Sequence, residues 1–297
     1  MARARMVEEV LDTHTMRSFS IVIPAFNESA VIGDCIEALM CQEGMDQLEI
    51  VVIANGCADD TAAIARGFGD RVTVLELEEG SKIQALNAGD EVCTIFPRAY
   101  LDADVELGPS CLARCHDALA GGQLAVAPRP EFISDGCGFI IRAFYEGWER
   151  TPYFADGHMI GSGFYAMSRE GRARFDRFPL IISDDGFAHQ LFKRDERSTL
   201  QDCTFKIHAP RTLQGLVAIK TRERLGAIEL RIKGFLPREQ DREGTTFGSM
   251  LWNLAKHPIS SLIYATIRLY TRNRATRQAR RDQFHLWERD TSSREAR

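Results

Sequence analysis

The sequence predicts an α/β fold in which a mostly parallel sheet is covered by helices on both faces. Short β-branched runs alternate with helical patterns through the first two-thirds of the 297 residues, as in repeated β-α-β units. The runs are nearly continuous in apolar residues, which is typical of strands buried on both faces of a parallel sheet. A hydrophobic fraction of 44% agrees with a folded globular chain and excludes a disordered or fibrous one.

The elements follow in order along the chain. Apolar runs predict strands at 18–24, 49–54, 71–77, 99–102, 124–127, 164–168 and 204–209. Helical spacing predicts helices at 28–41, 81–93 and 109–120, one that begins after the N-cap Asp59 and ends at Gly67, one that opens within 182–187, and a mostly helical region from 212. Residues 157–163 (GHMIGSG) predict a flexible glycine-rich loop.

Charge is unevenly distributed along the chain. The formal net charge is −5, yet residues 218–297 hold 17 Lys and Arg against 9 Asp and Glu. This acidic body with a basic tail argues against a nucleic-acid partner and favours an anionic surface that the tail alone contacts. Residues 258–270 place apolar side chains at helical spacing, and six arginines without an acid lie within 268–281. The segment 258–281 therefore forms either a helix in the headgroup region of an anionic membrane or a helix packed on the preceding domain.

The sequence predicts a cytoplasmic location. No run reaches the roughly 18 apolar residues that a membrane-spanning helix needs. Glu8, Glu9 and Asp12 stand where a signal peptide would need an apolar core. The eight cysteines are scattered without a C-x-x-C pair, which favours free thiols in a reducing compartment. Together with the basic tail, this predicts a cytoplasmic protein that is either free or peripheral on the inner face of the cytoplasmic membrane.

Polar residues follow the predicted strands, at the sheet edge where α/β proteins bind ligands. The first strand leads to PAFNE at 24–28, and neither a dinucleotide-binding nor a phosphate-loop glycine fingerprint is present. The second strand leads to NGCADDT at 55–61. The third leads to Lys82 in the first turn of a helix, where it is either a ligand-binding or a solvated lysine.

Asp102 and Asp104 follow the fourth strand. Two carboxylates two residues apart on an extended segment point to the same side. They repel each other unless a divalent cation neutralises them or one is protonated. Because hard oxygen ligands suit Mg²⁺ or Mn²⁺, this spacing predicts a metal site.

These turns together resemble the family 2 inverting glycosyltransferases, which have the GT-A fold. The resemblance is carried, in order, by IVIPAFNE (21–28), NGCADDT (55–61), KIQALNAG (82–89), DAD (102–104) and SDD (183–185). It implies a GT-A domain over 18–230, with a nucleotide-sugar-binding half at 18–128 and an acceptor and catalytic half at 129–230. A helical basic tail at 231–297 follows.

The resemblance also implies the roles of individual residues. The implied donor-binding residues are Pro24, Ala25, Glu28, Asn55, Asp59, Lys82, Asn87, Asp102 and Ala103. Asp104 is the implied principal ligand of a Mn²⁺ or Mg²⁺ ion, with Asp102 beside it. Many members open the second-strand turn with an acidic pair, and here Ala54 and Asn55 stand in its place. The nucleotide base is therefore left open.

Asp185 matches the general base of the family, and Asp184 matches its supporting acidic position. A carboxylate within hydrogen-bond reach can take the proton of an acceptor hydroxyl as the hydroxyl attacks. The alternative for Asp184 is that it only caps the following helix. The Q-x-x-R-W motif of processive members lacks its Trp here, which implies addition of one sugar. Lys220, Arg222 and Arg224 then either approach the diphosphate or form a solvated helix face.

The implied function is metal-dependent inverting transfer of one sugar from a nucleotide-sugar donor to a glycan acceptor. Residues 287–294 resemble the C-terminal signature of bacterial exopolysaccharide and O-antigen transferases, which implies a polyprenyl-diphosphate-linked acceptor. One alternative is a sugar-nucleotide nucleotidyltransferase, which would carry a glycine-rich, arginine-containing loop after the first strand. Another is a catalytically silent binding or scaffold protein, which would have lost Asp102, Asp104 or Asp185. His208 is either a further ligand or a packed histidine.

Overall fold

The computed structural model describes residues 16–151, 154, 157–158, 160–235 and 256–284, and eight strands in these residues form one sheet. The strands are β1 Ser18–Ala25, β2 Gln47–Asn55, β3 Val72–Leu77, β4 Arg98–Leu101, β5 Glu106–Leu107, β6 Ala125–Ile133, β7 Phe164–Met167 and β8 Arg197–His208. Their order is β3-β2-β1-β4-β7-β6-β8-β5. Only β7 and β5 run antiparallel to their neighbours, so the predicted mostly parallel sheet is confirmed.

Helices pack on this sheet. They are α1 Ile32–Met40, α2 Thr61–Arg66, α3 Lys82–Val92, α4 Cys111–Ala120, α5 Phe139–Glu149, α6 Arg169–Arg172, α7 Asp184–Gln190, α8 Leu213–Ile232 and α9 Pro258–Arg280. β1 lies between β2 and β4, and all its residues after Ser18 are buried, as its apolar run predicts. Leu39 of α1 and Leu86 of α3 are fully buried in the same core. The eight cysteines are all free.

The turns before α1 and α2 differ from the prediction. α1 begins at Ile32 rather than at 28, because a tight turn precedes it in which the Ile32 N–H donates to the Glu28 carbonyl at 2.9 Å. α2 begins at Thr61, and Asp59 is not its N-cap. The Asp59 carboxylate instead accepts hydrogen bonds from the backbone N–H groups of Thr61 and Ser29, each at 3.1 Å. Asp59 therefore connects the loop after β1 to the loop after β2 through these hydrogen bonds.

Beyond residue 130, β7, α7 and α8 lie where the sequence predicts them, and the structure adds further regular elements. β6 extends to Ile133 beside β8 although it contains Pro128 and Pro130, and its register shifts between Pro128 and Arg129. Proline lacks the N–H that a strand ladder uses, and this interrupts the strand pattern in the sequence. β8 begins at Arg197, earlier than predicted, because it follows β6 along this length. Neither α5 nor the two-residue β5 is predicted from the sequence.

α9 packs against α5 and α8, as in the second of the two arrangements that the sequence leaves open for this segment. Gly147 permits close contact, because a Cβ atom there would lie 2.7 Å from the Ser260 carbonyl oxygen. A second apolar cluster joins the three helices, and Phe144, Leu216 and Ile267 belong to it. Membrane binding by α9 stays a prediction, as do the domain limits 18–230 and 231–297. The 287–294 signature lies outside the described residues.

The opposite face of α9 is apolar and exposed. Ile259, Leu262, Leu269 and Tyr270 are each 58–64% exposed. Of the apolar stripe predicted on this helix, Ile267 is buried, whereas Ile259, Leu262 and Tyr270 are exposed. Within the described residues, no helix combines the length and the hydropathy that crossing a bilayer requires.

Candidate active site

Lys82 lies between two carboxylates that come from distant parts of the chain. It is the first residue of α3, beside the carboxyl ends of the parallel strands. Its Nζ is 2.7 Å from Oδ1 of Asp102, which follows β4, and 3.0 Å from Oδ1 of Asp184, which begins α7. The hydroxyl of Tyr165 donates a hydrogen bond to Oδ2 of Asp184 at 3.1 Å. The structure thus brings together three residues that the sequence predicts in the site.

Negative charge dominates this group. Burial alone would lower the pKa of Lys82, but the carboxylates of Asp102, Asp184 and Asp185 outweigh burial and raise the pKa above its ordinary value. Burial raises the pKa of Asp102, and the charges of Asp184 and Asp104 raise it further against the attraction of Lys82. Four carboxylates around one ammonium favour a further cation. We call Lys82, Asp102, Asp104, Asp184 and Asp185 the carboxylate cluster.

Ser183 determines how α7 begins. Its Oγ accepts a hydrogen bond from the Gly186 N–H at 3.2 Å, so Ser183 is the N-cap, and the alternative in which Asp184 caps this helix is wrong. Ser183 also donates to Oδ1 of Asp185 at 2.9 Å, and the Gly186 N–H donates to the same oxygen at 2.7 Å. The local fold therefore fixes the orientation of the Asp185 carboxylate.

The loop before β7 contacts the other oxygen of Asp185. The Ser162 N–H donates to its Oδ2 at 3.2 Å. Gly161 makes this approach possible, because its φ is +115° and a Cβ atom there would lie 2.9 Å from the Asp185 Cβ. Burial alone would raise the pKa of Asp185, but the charge of Lys82 and the hydrogen bonds from Ser183, Ser162 and Gly186 lower it below its usual value. Asp185 is therefore ionised at neutral pH.

The donor set around Asp102 and Asp104 fits one class of metal site. The Asp102 N–H donates to the Gly163 carbonyl at 2.8 Å, which fixes the turn that carries both carboxylates. Across the described part of the chain, no three His, Cys, Asp or Glu side chains are arranged to hold a metal by themselves. Mg²⁺ is commonly held by one or two carboxylates together with waters and substrate phosphates. Asp104 and Asp102 therefore suit a Mg²⁺ or Mn²⁺ ion that is bound together with a diphosphate.

Most of the predicted site residues line one cavity of about 1090 Å³. They are Pro24, Glu28, Asn55, Lys82, Asp102, Ala103, Asp104, Asp184 and Asp185. His208 lines it too, and its Nε2 lies 3.3 Å from Oε1 of Glu106, so this histidine has a protein partner.

Three predicted donor-binding residues do not line this cavity. The Ala25 carbonyl accepts a hydrogen bond from the Asn55 side chain at 2.8 Å, so Ala25 holds Asn55 in place. The Asn87 amide is buried, donating to the Phe178 carbonyl at 3.0 Å and accepting from the Phe178 N–H at 2.8 Å. Asp59 makes the loop contacts described above. The hydrogen bonds of Ala25, Asn87 and Asp59 are therefore made to other parts of the protein, and they hold the local fold in place.

The α5 side of the cavity carries residues that sequence reasoning misses. Phe132, Phe144, Tyr145, Trp148 and Tyr264 line it, and we call them the aromatic wall. The Lys220 Nζ lies 3.3 Å from the centroid of the Trp148 ring and 2.8 Å from Oε1 of Glu223. Phe144, Tyr145 and Trp148 are spaced so that they share one face of a helix. This spacing is the feature of the sequence from which the aromatic residues of α5 could have been predicted.

The comparisons with known proteins agree with this geometry. The sequence profile of Glycosyl transferase family 2 matches residues 20–178, more than half of the chain. The chain belongs to this family. The matched region begins within β1, contains β2 to β4 and the Asp102–Asp104 turn, and ends before α7. The family predicted from the sequence is therefore confirmed for this family 2 glycosyltransferase.

Curated relatives share only part of their length with the chain. Glycosyltransferase AglE of Haloferax volcanii is 31% identical over 124 residues, which are 38% of this chain and 41% of AglE. The 4,4'-diaponeurosporenoate glycosyltransferase of Staphylococcus aureus is 25% identical over 57% of this chain and 44% of that protein. The family 2 chain spans less than half the length of the curated relatives it matches.

Solved structures share the fold of the family 2 chain. Mannosyltransferase PcManGT from Pyrobaculum calidifontis, in complex with GDP-Man and Mn²⁺, has a TM-score of 0.58 at 19% identity. The superposition covers 90% of this chain and 79% of the PcManGT chain. Glucosyl-3-phosphoglycerate synthase from Mycobacterium tuberculosis, in complex with Mn²⁺, UDP-glucose and phosphoglyceric acid, has a TM-score of 0.51 at 20% identity and covers 75% and 81%. The GT-A expectation for the fold is confirmed.

Proposed function

We propose that the chain transfers one sugar from a nucleotide-sugar to a hydroxyl group of a glycan acceptor, with inversion and with the aid of Mn²⁺ or Mg²⁺. The observation that carries this proposal is the carboxylate cluster, which lies in one cavity at the carboxyl ends of the parallel strands of a family 2 chain. Such a cluster suits both a cation and a general base.

In this proposal Asp104 and Asp102 hold the metal ion. The bound ion would neutralise charge that develops on the departing diphosphate. Lys82 holds Asp102 and Asp184 in position through its two ion pairs, and its raised pKa keeps it cationic beside the diphosphate. Pro24, Glu28, Asn55 and Ala103 would contact the remainder of the donor.

Asp185 is the proposed general base. Its lowered pKa keeps it ionised, and its hydrogen bonds to Ser183, Gly186 and Ser162 hold its orientation. An ionised, oriented carboxylate at the cavity wall is what proton removal from an attacking hydroxyl requires. Asp184 would support it by keeping Lys82 in place.

The nucleotide and the sugar are left to experiment, because PcManGT is complexed with GDP-Man and the mycobacterial synthase with UDP-glucose. The test is a thermal-stability panel of nucleoside diphosphates and nucleotide-sugars, each with Mn²⁺ and with EDTA. A ligand at 100-fold excess over its Kd stabilises the native state by about 2.7 kcal/mol. We expect a metal-dependent shift with one nucleotide. The absence of any shift would favour the silent scaffold.

We also propose a lipid-linked glycan as acceptor and peripheral binding to the cytoplasmic face of the membrane. The exposed apolar face of α9 supports this, since Ile259 and Leu262 precede the arginines of the same helix and Leu269 lies between the first two of them. Flotation with anionic and with neutral vesicles tests it. Leu262→Ser together with Leu269→Ser should reduce binding to anionic vesicles, and unchanged binding would contradict the proposal.

A further inference from the structure

The side of the cavity between α8 and α9 carries arginines that the proposed reaction does not use. Arg224 of α8 and Arg268 and Arg272 of α9 line it, and we call these three the arginine cluster. The Nε atom of Arg224 is buried and has no hydrogen-bond partner among the described residues. Because an unpartnered buried donor costs free energy, this side chain is suited to a ligand that accepts hydrogen bonds.

The surroundings of Arg224 are positively charged. Burial lowers its pKa, and the charges of Arg268, Arg272 and Arg231 lower it further. Arg268 donates to the Tyr264 hydroxyl at 2.7 Å, which is a neutral partner. Guanidinium groups held close together repel one another unless an anion lies among them.

The arginine cluster is separate from the carboxylate cluster within the same cavity. The carboxylate cluster lies on α3, on α7 and in the turn after β4, whereas the arginine cluster lies on α8 and α9. The diphosphate of the donor is proposed to lie with the metal at Asp102 and Asp104. The arginine cluster is therefore available to a second anion.

We propose that the arginine cluster binds the phosphate or diphosphate group of a phosphorylated acceptor. This inference rests on the proposed function, because it takes the carboxylate cluster as the donor site. Guanidinium groups match phosphate oxygens through paired N–H donors. The aromatic wall adjoins the cluster through Tyr264, which is one helical turn from Arg268, and it offers apolar surface to the group attached to the phosphate.

Isothermal titration of phosphate monoesters into the full-length chain tests this subsite. The probes are glycerol phosphate and geranyl phosphate, titrated after the nucleotide site has been saturated with nucleoside diphosphate and Mn²⁺. We expect both to bind the saturated protein. Arg224→Gln and Arg272→Gln should each weaken this binding about tenfold. Arg277→Gln is the matched control, because Arg277 is exposed on α9 and does not line the cavity.

Three results would overturn the inference: no binding once nucleotide is bound, competition between the monoester and the nucleotide, or equal weakening by Arg277→Gln. Tighter binding of geranyl phosphate than of glycerol phosphate identifies a lipid-linked acceptor, and equal binding identifies a soluble one. Both support the subsite. If the wild type binds no nucleotide, the proposed function fails, and the titration without nucleotide then decides the anion site by itself.

Discussion

Two lysines that line the same cavity have opposite surroundings. Lys82 lies among carboxylates that raise its pKa. Lys220 lies over the Trp148 ring, and its pKa is lowered by burial and by the charges of Arg222 and Arg268, against the attraction of Glu223. The part of the lining that α8 and α9 supply carries Lys220, Arg222, Arg224, Arg268 and Arg272 against Glu223, whereas the part at the carboxyl ends of the strands carries the carboxylate cluster. One side of the cavity therefore has excess negative charge and suits a cation, and the other has excess positive charge and suits an anion.

The largest expected effect concerns the carboxylate side. Asp185→Asn should reduce kcat by about 10²–10⁴-fold, which is the usual contribution of a general base. The Kd of the donor should stay the same, because Asp185 is not a proposed metal ligand. Steady-state kinetics and donor titration measure the two quantities. Asp195→Asn, an exposed aspartate outside the cavity, is the control. Sugar transfer that persists in Asp185→Asn would show that Asp185 is not the general base.

Asp104→Asn should act on binding rather than on proton transfer. Loss of a metal ligand should weaken Mn²⁺-dependent donor binding by at least about tenfold, since even indirect partners of metal ligands contribute that much. The comparison is the donor Kd in Mn²⁺ and in EDTA for this variant and for Asp185→Asn. Equal loss of donor affinity in the two variants would contradict the division of roles between them.

The carboxylate side is the part that could be predicted from the sequence. β1, β2 and β4 are apolar runs, and the residues that follow them share a sheet edge by the topology of parallel strands alone. Asn87 and Asp59 fit the family pattern equally well, but hydrogen bonds to Phe178 and to Ser29 hold them in structural contacts. A sequence motif specifies residue types, but it does not specify the hydrogen-bond partner of each polar side chain.

Apart from Lys220, Arg222 and Arg224, which are candidates from the sequence, the aromatic and arginine side could not be predicted, for a different reason. It is assembled from α5, α8 and α9, which are far apart in sequence, and close contacts such as that of Gly147 with Ser260 join them. Local periodicity carries no information on such distant contacts. The prolines of β6 also break the strand pattern immediately before α5.

Removing the charge of Lys82 should destabilise the fold more when metal is absent. Lys82→Met leaves Asp102 and Asp184 without their cation, and loss of a hydrogen bond to a charged group costs about 1.5–3 kcal/mol. Urea unfolding in EDTA measures this loss in the free energy of unfolding. With Mn²⁺ and a nucleoside diphosphate together the loss should be smaller, because the bound ion also neutralises Asp102. An equal loss in both conditions would argue against a metal beside Asp102.

Lys220→Met should have the smallest effect at pH 7, a change of under about 1 kcal/mol in the free energy of unfolding. The variant loses the contact with the Trp148 ring and the ion pair with the exposed Glu223, but it also loses the cost of a buried charge. Its effect should instead appear in the dependence on pH. The folded pKa of Lys220 lies below the ordinary 10.5, so between these two values the unfolded chain binds more protons than the folded one.

The stability of the wild type should therefore rise with pH relative to Lys220→Met as the pH approaches 10.5 from below. Urea unfolding of both proteins at pH 7, 8, 9 and 10 gives this difference. Lys206→Met, at an exposed position of β8, is the control and should show no such rise. A difference that falls with pH would mean that the attraction of Glu223 outweighs burial and the arginine charges, so that the folded pKa of Lys220 lies above 10.5.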